Sequence, residues 1–274
     1  GVWDDVRDLR GRVKLAGLVM FGAILIAGGL RIDRISNPFG GVLLFPDWLS
    51  IAVTLFWVAG MMNAINLIDG LDGLAAGVVA IASFGLAAAG LHTQNLLSVI
   101  LFAALGGACA GFLVYNFHPA KIFLGDAGSQ FLGLVLAAAP LVEFSYKSAT
   151  AVALLIPLTS LALPIYDTAL AFLRRLRGWR SIFRADRYHL HHRLLRMGLS
   201  HRQAVVFLYL VSLYLSALAF VFVLIPERYA IILLLVMALG LIMAMQTLRF
   251  IEWKVLQLAR AKARQARRRA RGPP

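Results

Sequence analysis

The hydrophobic pattern of the chain consists of long apolar runs separated by short polar segments. Several runs approach or exceed the length of about 18 residues that a helix needs to cross a bilayer, and they lack the alternation typical of membrane β-strands. The predicted spans are 14–30, 48–65, 74–91, 96–115, 129–144, 149–173, 204–224 and 229–249. The pattern therefore predicts an all-α fold, a polytopic transmembrane helical bundle of about eight spans, forming a single membrane-embedded domain over residues 1–274.

The amino-acid composition supports a membrane protein and argues against a framework built on cysteines. Hydrophobic residues make up 61% of the chain and charged residues 15%, which is too apolar for a water-soluble domain of this length. The single cysteine, Cys109, lies inside an apolar run, so the sequence offers neither a disulfide framework nor a cysteine metal cluster. The chain opens at Gly1 without an initiator methionine, and we expect it to be an N-terminally truncated fragment.

The distribution of Lys and Arg predicts the orientation in the membrane. If the N-terminus is cytoplasmic, 23 of the 27 basic residues fall on the inner side, in the first segment, Lys121, the 174–202 loop and the C-terminal tail. The outer side then holds only Arg31, Arg34, Lys147 and Arg228. The net charge of +14 and the basic cytoplasmic tail at 254–274 indicate binding to anionic membrane lipids, and we expect no nucleic-acid partner.

Four polar motifs lie between the spans, all on the predicted cytoplasmic side. They are Asp4-Asp5-x-x-Asp8, Asn63-x-x-Asn66-x-x-Asp69-Gly70-Leu71-Asp72-Gly73, Gly125-Asp126-Ala127-Gly128-Ser129 and His189-Leu190-His191-His192. Carboxylates at membrane depth persist only with a partner or a function, and the second and third of these motifs contain no basic residue. Oxygen ligands favour Mg²⁺ or Mn²⁺, and the adjacent glycines allow backbone to approach phosphate closely. The histidines and the many arginines of 174–202 would supply counter-charge for a diphosphate.

Other polar residues have simpler interpretations. His92, His118 and His201 are expected at helix ends as interfacial polar residues. Asp167 lies late in an apolar span, where either an ion pair with Arg174 or Arg175 or a functional role would account for it. An ordinary turn or helix cap would also explain an isolated Asp-Gly pair.

The ordered set of motifs resembles the polyprenyl-phosphate N-acetylhexosamine-1-phosphate transferase family over essentially the whole chain. The resemblance implies catalytic roles for Asp4, Asp5, Asp69 and Asp72, substrate binding by Asn66, Arg187, His189, His191 and His192, and metal ligation by Asp126 with Asp69. Family members of this kind carry further helices upstream, which agrees with the expected truncation. The segment from Asp186 to His192 looks like the N-acetylglucosamine-1-phosphate branch, whereas the muramyl-pentapeptide branch usually carries three adjacent histidines.

This resemblance implies a complete reaction. A sugar-1-phosphate, with N-acetylglucosamine-1-phosphate as the first choice, would pass from a UDP-N-acetylhexosamine to undecaprenyl phosphate, releasing UMP. Mg²⁺ or Mn²⁺ would be the cofactor, and the product would serve cell-wall or surface polysaccharide synthesis, including lipopolysaccharide. The implied location is the bacterial inner membrane, with the active site on the cytoplasmic face; a homodimer is left open.

Three alternatives were compared with this interpretation. A phospho-N-acetylmuramoyl-pentapeptide transferase would use the same chemistry on a larger donor. A transporter would place its carboxylates near the bilayer midplane, whereas here they lie at one face. A CDP-alcohol phosphotransferase needs an Asp-Gly-x-x-Ala-Arg opening, and the segment Asp72 to Gly77 lacks that arginine.

Overall fold

The described part of the chain is a bundle of helices with a small two-stranded hairpin. The computed structural model describes residues 1–7, 11–36, 42–146, 151–177, 189–225 and 229–270. The helices are α1 (Val2–Arg7), α2 (Gly11–Ala27), α3 (Asp47–Ile68), α4 (Leu74–His92), α5 (Leu96–Asn116), α6 (Gly125–Tyr146), α7 (Ala151–Ser160), α8 (Ala162–Arg177), α9 (Leu190–Arg196), α10 (His201–Leu224) and α11 (Ala230–Ala270). The strands are β1 (Arg34–Ser36) and β2 (Val42–Leu44), which pair antiparallel.

The predicted membrane fold is confirmed. Within the described ranges, five helices are long and apolar enough to cross a membrane: α3, α4, α5, the Gly125–Val142 part of α6, and α10. Shorter apolar stretches run from Ala162 to Leu173 in α8 and from Ile232 to Ala244 in α11. The molecule is therefore an all-α, multi-pass membrane protein.

Three features differ from the predicted spans. The span expected at 149–173 is two helices, α7 and α8, which meet at Leu161. Pro157 lies inside α7 and has no backbone N–H, so it interrupts the helical hydrogen bonds shortly before the break. The β1–β2 hairpin was not predicted, because three-residue strands are too short to show an alternating pattern. The expected tail at 254–274 continues as helix α11 as far as Ala270.

Helix α4 lies at the centre of the bundle, between α5 and α10. Its run of alanines and glycines lets neighbouring helices approach closely, as in many membrane bundles. The clearest case is Gly77, where an added Cβ would overlap the ring of Tyr209 on α10. The Tyr209 hydroxyl thereby reaches the start of α4 and donates a hydrogen bond to the Gly73 carbonyl oxygen.

The loop between α3 and α4 is held from a second side as well. The Gly73 N–H donates to Asn116 Oδ1 at 3.0 Å, and Asn116 Nδ2 donates to the Ile122 carbonyl oxygen at 2.9 Å. Gly73 itself has φ +80, a backbone conformation that glycine adopts without strain. The Asp69–Gly73 loop and the α5–α6 loop are therefore fixed to each other at one end of the bundle.

Candidate active site

The first aspartate pair docks on the start of α6. Asp5 accepts hydrogen bonds from the Asp126 N–H at 2.8 Å and from the Ala127 N–H at 3.1 Å. A carboxylate is favoured there because the first backbone N–H groups of a helix lack intrahelical partners and carry partial positive charge. Gly125, at φ +66, leaves room for this contact, since an added Cβ would lie 3.0 Å from Asp5 Oδ2. This docking brings the N-terminal segment to the Gly125–Ser129 motif.

A lysine lies between the carboxylates that converge at this point. Lys14 Nζ is 2.5 Å from Asp4 Oδ2 and 3.1 Å from Asp126 Oδ2. Asn66 Nδ2 donates to Asp126 Oδ1 at 2.8 Å and to Ser129 Oγ at 3.0 Å. Asp4, Asp5 and Asp126 form what we call the carboxylate cluster. The lysine ammonium occupies a cation position within it, between two oxygens from different helices.

Asp69 adjoins this cluster at the end of α3. Burial raises the pKa of Asp69 to about 7, and the negative charges of Asp126, Asp5 and Asp72 act in the same direction. Burial and these like charges therefore both disfavour the ionised form of Asp69. A bound cation would favour the ionised form, so this donor set fits a hard divalent metal ion.

Asp72 lies apart from the carboxylate cluster, with two histidines. His118 Nδ1 is 2.8 Å from Asp72 Oδ2, and the Ala120 N–H donates to the same oxygen at 3.2 Å. The rings of His118 and His201 stack with centroids 4.1 Å apart. Partial burial opposes ionisation of Asp72, but the hydrogen bonds from His118 and Ala120 outweigh it and hold the pKa of Asp72 below its usual range. The two histidines lie at helix ends, as expected, where His118 contacts the Asp72 carboxylate and His201 stacks on His118.

The histidine motif begins helix α9 and is held by Asp167. His189 Nδ1 is 3.0 Å from Asp167 Oδ2, and the Leu190 N–H donates to Asp167 Oδ1 at 3.1 Å. Both Asp167 and His189 are buried, so this pair satisfies two groups that would otherwise be costly inside the bundle. The sequence left Asp167 open between an ion pair and a functional role. Its observed contacts are with the histidine motif, while the side chains of Arg174 and Arg175 lie outside the described residues.

His191 connects the histidine motif to the Asp69–Gly73 loop. Its ring lies directly over Gly70, where an added Cβ would be 2.3 Å from His191 Nε2. Burial, together with the smaller effect of the neighbouring His192, lowers the pKa of His191 to about 4. His191 is therefore neutral at pH 7 in this state. The counter-charge expected of the three histidines does not come from this one.

Helix α9 is also tied to the C-terminal helix. Arg193 Nε donates to Glu252 Oε2 at 2.8 Å, and Arg196 Nη2 donates to Glu252 Oε1 at 3.0 Å. Arg193 is buried, and a buried guanidinium needs such a partner. A seven-residue helix is not stable by itself, so these contacts and the Asp167 contacts together fix the position of α9.

The site residues predicted from the sequence thus fall into three connected groups. The first group consists of Asp4, Asp5, Asn66 and Asp126, and Asp69 adjoins it. The second group contains Asp72. The third group is the histidine motif, with His189, His191 and His192. Arg187 lies outside the described residues. The prediction missed Lys14, His118, His201 and Glu252 as parts of the site. Of these, Lys14 carried a signal, as a lone lysine shortly after the Asp4-Asp5 pair, but it was counted only as a topological charge.

Comparisons with known proteins find both a matching family model and similar curated proteins. The family model for glycosyl transferase family 4 matches residues 1–143. The probable undecaprenyl-phosphate N-acetylglucosaminyl 1-phosphate transferase of Bacillus subtilis is 40% identical over 221 residues, covering 81% of this chain and 62% of the relative. The decaprenyl-phosphate N-acetylglucosaminephosphotransferase of Mycobacterium leprae is 39% identical over 230 residues, covering 77% of this chain and 58% of the relative.

A more partial similarity reaches a second kind of enzyme. The phospho-N-acetylmuramoyl-pentapeptide-transferase of Desulforudis audaxviator is 39% identical over 148 residues, which is 50% of this chain and 44% of the relative. The chain thus spans less than two thirds of the length of each of these relatives. Since the family model covers more than half of the chain, and the residues it matches include the whole carboxylate cluster, the chain belongs to glycosyl transferase family 4.

Proposed function

We propose that the chain forms the catalytic part of an enzyme that transfers N-acetylglucosamine-1-phosphate from UDP-N-acetylglucosamine to undecaprenyl phosphate. An oxygen of the lipid phosphate attacks the β-phosphorus of the donor, the bond from that phosphorus to the bridging oxygen breaks, and UMP leaves. The observation that carries this proposal is the convergence of Asp4 and Asp126 on one cation position beside Asp69. Diphosphate chemistry needs a concentrated positive charge at such a place.

We infer that the cation is Mg²⁺ or Mn²⁺ and that Asp126 and Asp69 hold it. Both ions take oxygen ligands, and Mg²⁺ typically uses one or two protein carboxylates and leaves its other positions to phosphate and water. When bound, the metal would neutralise charge on the diphosphate oxygens. The Lys14 ammonium supports the assignment of Asp126, because it already places a positive charge 3.1 Å from Asp126 Oδ2.

The chain's own residues act mainly by positioning. Asn66 orients Asp126 through its amide, and Asp5 holds the start of α6. Asp4 is buried and contacts Lys14, so orienting that ammonium is a better role for it than attack on phosphorus. His191, neutral at pH 7, is suited to donate one hydrogen bond to an uncharged or phosphate oxygen of the donor. Direct attack in a ternary complex suits this set, because a lipid phosphate is largely dianionic near pH 7 and needs alignment more than activation.

The expected sugar donor is UDP-N-acetylglucosamine. Two relatives that match more than three quarters of the chain are named for N-acetylglucosamine phosphate transfer, whereas the pentapeptide transferase matches half of it. We therefore expect the purified full-length protein, with undecaprenyl phosphate and Mg²⁺, to transfer label from UDP-N-acetylglucosamine into a butanol-extractable lipid. The same assay with UDP-N-acetylmuramyl-pentapeptide at equal concentration is the comparison. Faster transfer from the pentapeptide donor would reject this donor assignment and retain the reaction class.

We further propose that the site faces the cytoplasm from the bacterial inner membrane. The two ends of α5 offer a direct measurement in a Cys109→Ser background: Thr93→Cys precedes the helix and Lys121→Cys follows it, and both positions are exposed. In intact cells, an impermeant maleimide should label Thr93→Cys and should label Lys121→Cys only after the membrane is opened. Labelling of Lys121→Cys in intact cells would reverse the proposed orientation.

A further inference from the structure

We propose that Asp72, His118 and His201 form a second cation site, selective for a borderline divalent ion such as Zn²⁺ and separate from the carboxylate cluster. Each of the three residues offers one ligand atom, and these atoms all lie within 4.8 Å of one another. The residues come from the α3–α4 loop, the segment after α5 and the first turn of α10. A shared ion would therefore join three segments that are distant in sequence.

The spacing of the three ligand atoms, all within 4.8 Å of one another, approaches that of a three-ligand zinc site. Tetrahedral ligands at about 2.0–2.2 Å from Zn²⁺ lie roughly 3.3 Å from one another. Asp72 Oδ2 and His118 Nδ1 are already 2.8 Å apart, so this pair needs to open only slightly to admit an ion. The fourth position would be left to water, as in zinc sites with three protein ligands.

His201 provides an independent observation. Its Nε2 atom is buried and has no hydrogen-bond partner among the described residues. A buried imidazole nitrogen without a partner is costly, and coordination of a metal is one of the few roles that would satisfy it. The stacked rings of His118 and His201 are nearly parallel, at 16°, so one ring must rotate for both to point at a common ion.

The ligand chemistry separates this site from the carboxylate cluster. Two imidazoles and one carboxylate suit Zn²⁺ and its neighbours in the first transition series, whereas Mg²⁺ prefers oxygen ligands alone. The ion has access, because the side chains of His118 and Asp72 are 38% and 24% exposed. Arg202 places a positive charge near the site, since its Nε donates to the His118 carbonyl oxygen. That charge weakens binding of a cation without removing a ligand.

Titration of Zn²⁺ into the untagged, metal-free protein by calorimetry tests the site. The wild type should bind one Zn²⁺ here, and His201→Gln should bind it at least about tenfold more weakly, since a ligand is lost. His201→Gln leaves the Asp72–His118 pair in place, which protects the fold. Cobalt gives a second measurement: Co²⁺ should develop the visible absorption of a tetrahedral site with the wild type and lose it with His201→Gln.

Two matched variants locate the ion. His92→Gln removes a histidine at the C-terminal end of α4, where the ring packs against Phe220, and His192→Gln removes one from the histidine motif. Both should bind Zn²⁺ as the wild type does, and millimolar Mg²⁺ should not displace it. Equal Zn²⁺ affinity in the wild type and His201→Gln would overturn the proposal. Displacement of Zn²⁺ by Mg²⁺ would also overturn it, because the ion would then lie in the carboxylate cluster.

Discussion

Asp126→Asn should lower the rate of sugar-phosphate transfer by roughly 10³-fold and weaken its dependence on Mg²⁺. The substitution keeps the size of the side chain but removes the negative charge that faces Lys14 and, in the proposed complex, the metal ion. The amide oxygen can still accept from Asn66, so the start of α6 should stay in place. The measurement is transfer of labelled N-acetylglucosamine phosphate over a Mg²⁺ series, which separates a lower maximal rate from a shifted Mg²⁺ midpoint.

Asp47→Asn is the matched control for this change. Asp47 begins α3 at the opposite end of that helix from the site and forms an exposed ion pair with Arg31, 2.9 Å long. Exposed pairs of this kind contribute at most about 1 kcal/mol, so this variant should transfer sugar phosphate at the wild-type rate. An Asp126→Asn enzyme with a near wild-type rate and an unchanged Mg²⁺ midpoint would remove Asp126 from the metal site.

Gly70→Ala should lower the transfer rate by about 100-fold while the protein remains folded, because a displacement of about 1 Å at a catalytic group can have an effect of that size. The new Cβ would lie 2.3 Å from His191 Nε2 and 2.6 Å from Cε1, so the ring must move. Gly70 lies in an exposed turn, and the buried apolar side chains around it are unchanged. The assay is the same transfer reaction, accompanied by a thermal unfolding measurement.

Gly60→Ala tests whether any alanine in this region has the same effect. Gly60 lies on α3, and an added Cβ there meets no atom within 4 Å. This variant should therefore keep the wild-type rate. Should Gly70→Ala also keep it, His191 would have no part in the reaction; a large loss of thermal stability would instead mark a folding defect.

Much of the fold was predictable because membrane helices carry a strong local signal. A run of about 20 apolar residues specifies a spanning helix with little help from its neighbours, and the helices α3, α4, α5 and α10 appear close to their predicted bounds. The break between α7 and α8 was harder, since proline in an apolar run is compatible with either a kink or a break. Only packing against the rest of the bundle distinguishes the two.

The sequence predicted the site residues that belong to one local motif. It did not predict the contacts between residues of different motifs. Carboxylates at helix ends signal their role locally, because they are costly without a function. The contacts of Lys14 with Asp126, and of His118 with Asp72, join positions 112 and 46 residues apart, and no local pattern encodes them. The neutrality of His191 is likewise a product of burial, which the sequence alone does not reveal.

The contacts of Glu252 also bear on how this protein can change during evolution. The Glu252 carboxylate accepts hydrogen bonds from both Arg193 and Arg196. Replacement of Glu252 by an uncharged residue would therefore leave the buried guanidinium of Arg193 without its acidic partner, beside the histidine motif. Substitutions at positions 193 and 252, which are 59 residues apart, are therefore expected to co-vary among homologues. Second-site revertants of a Glu252 defect should arise on α9, where a smaller uncharged residue at 193 relieves the isolated charge. Helix α11 therefore restricts which substitutions can be accepted in α9.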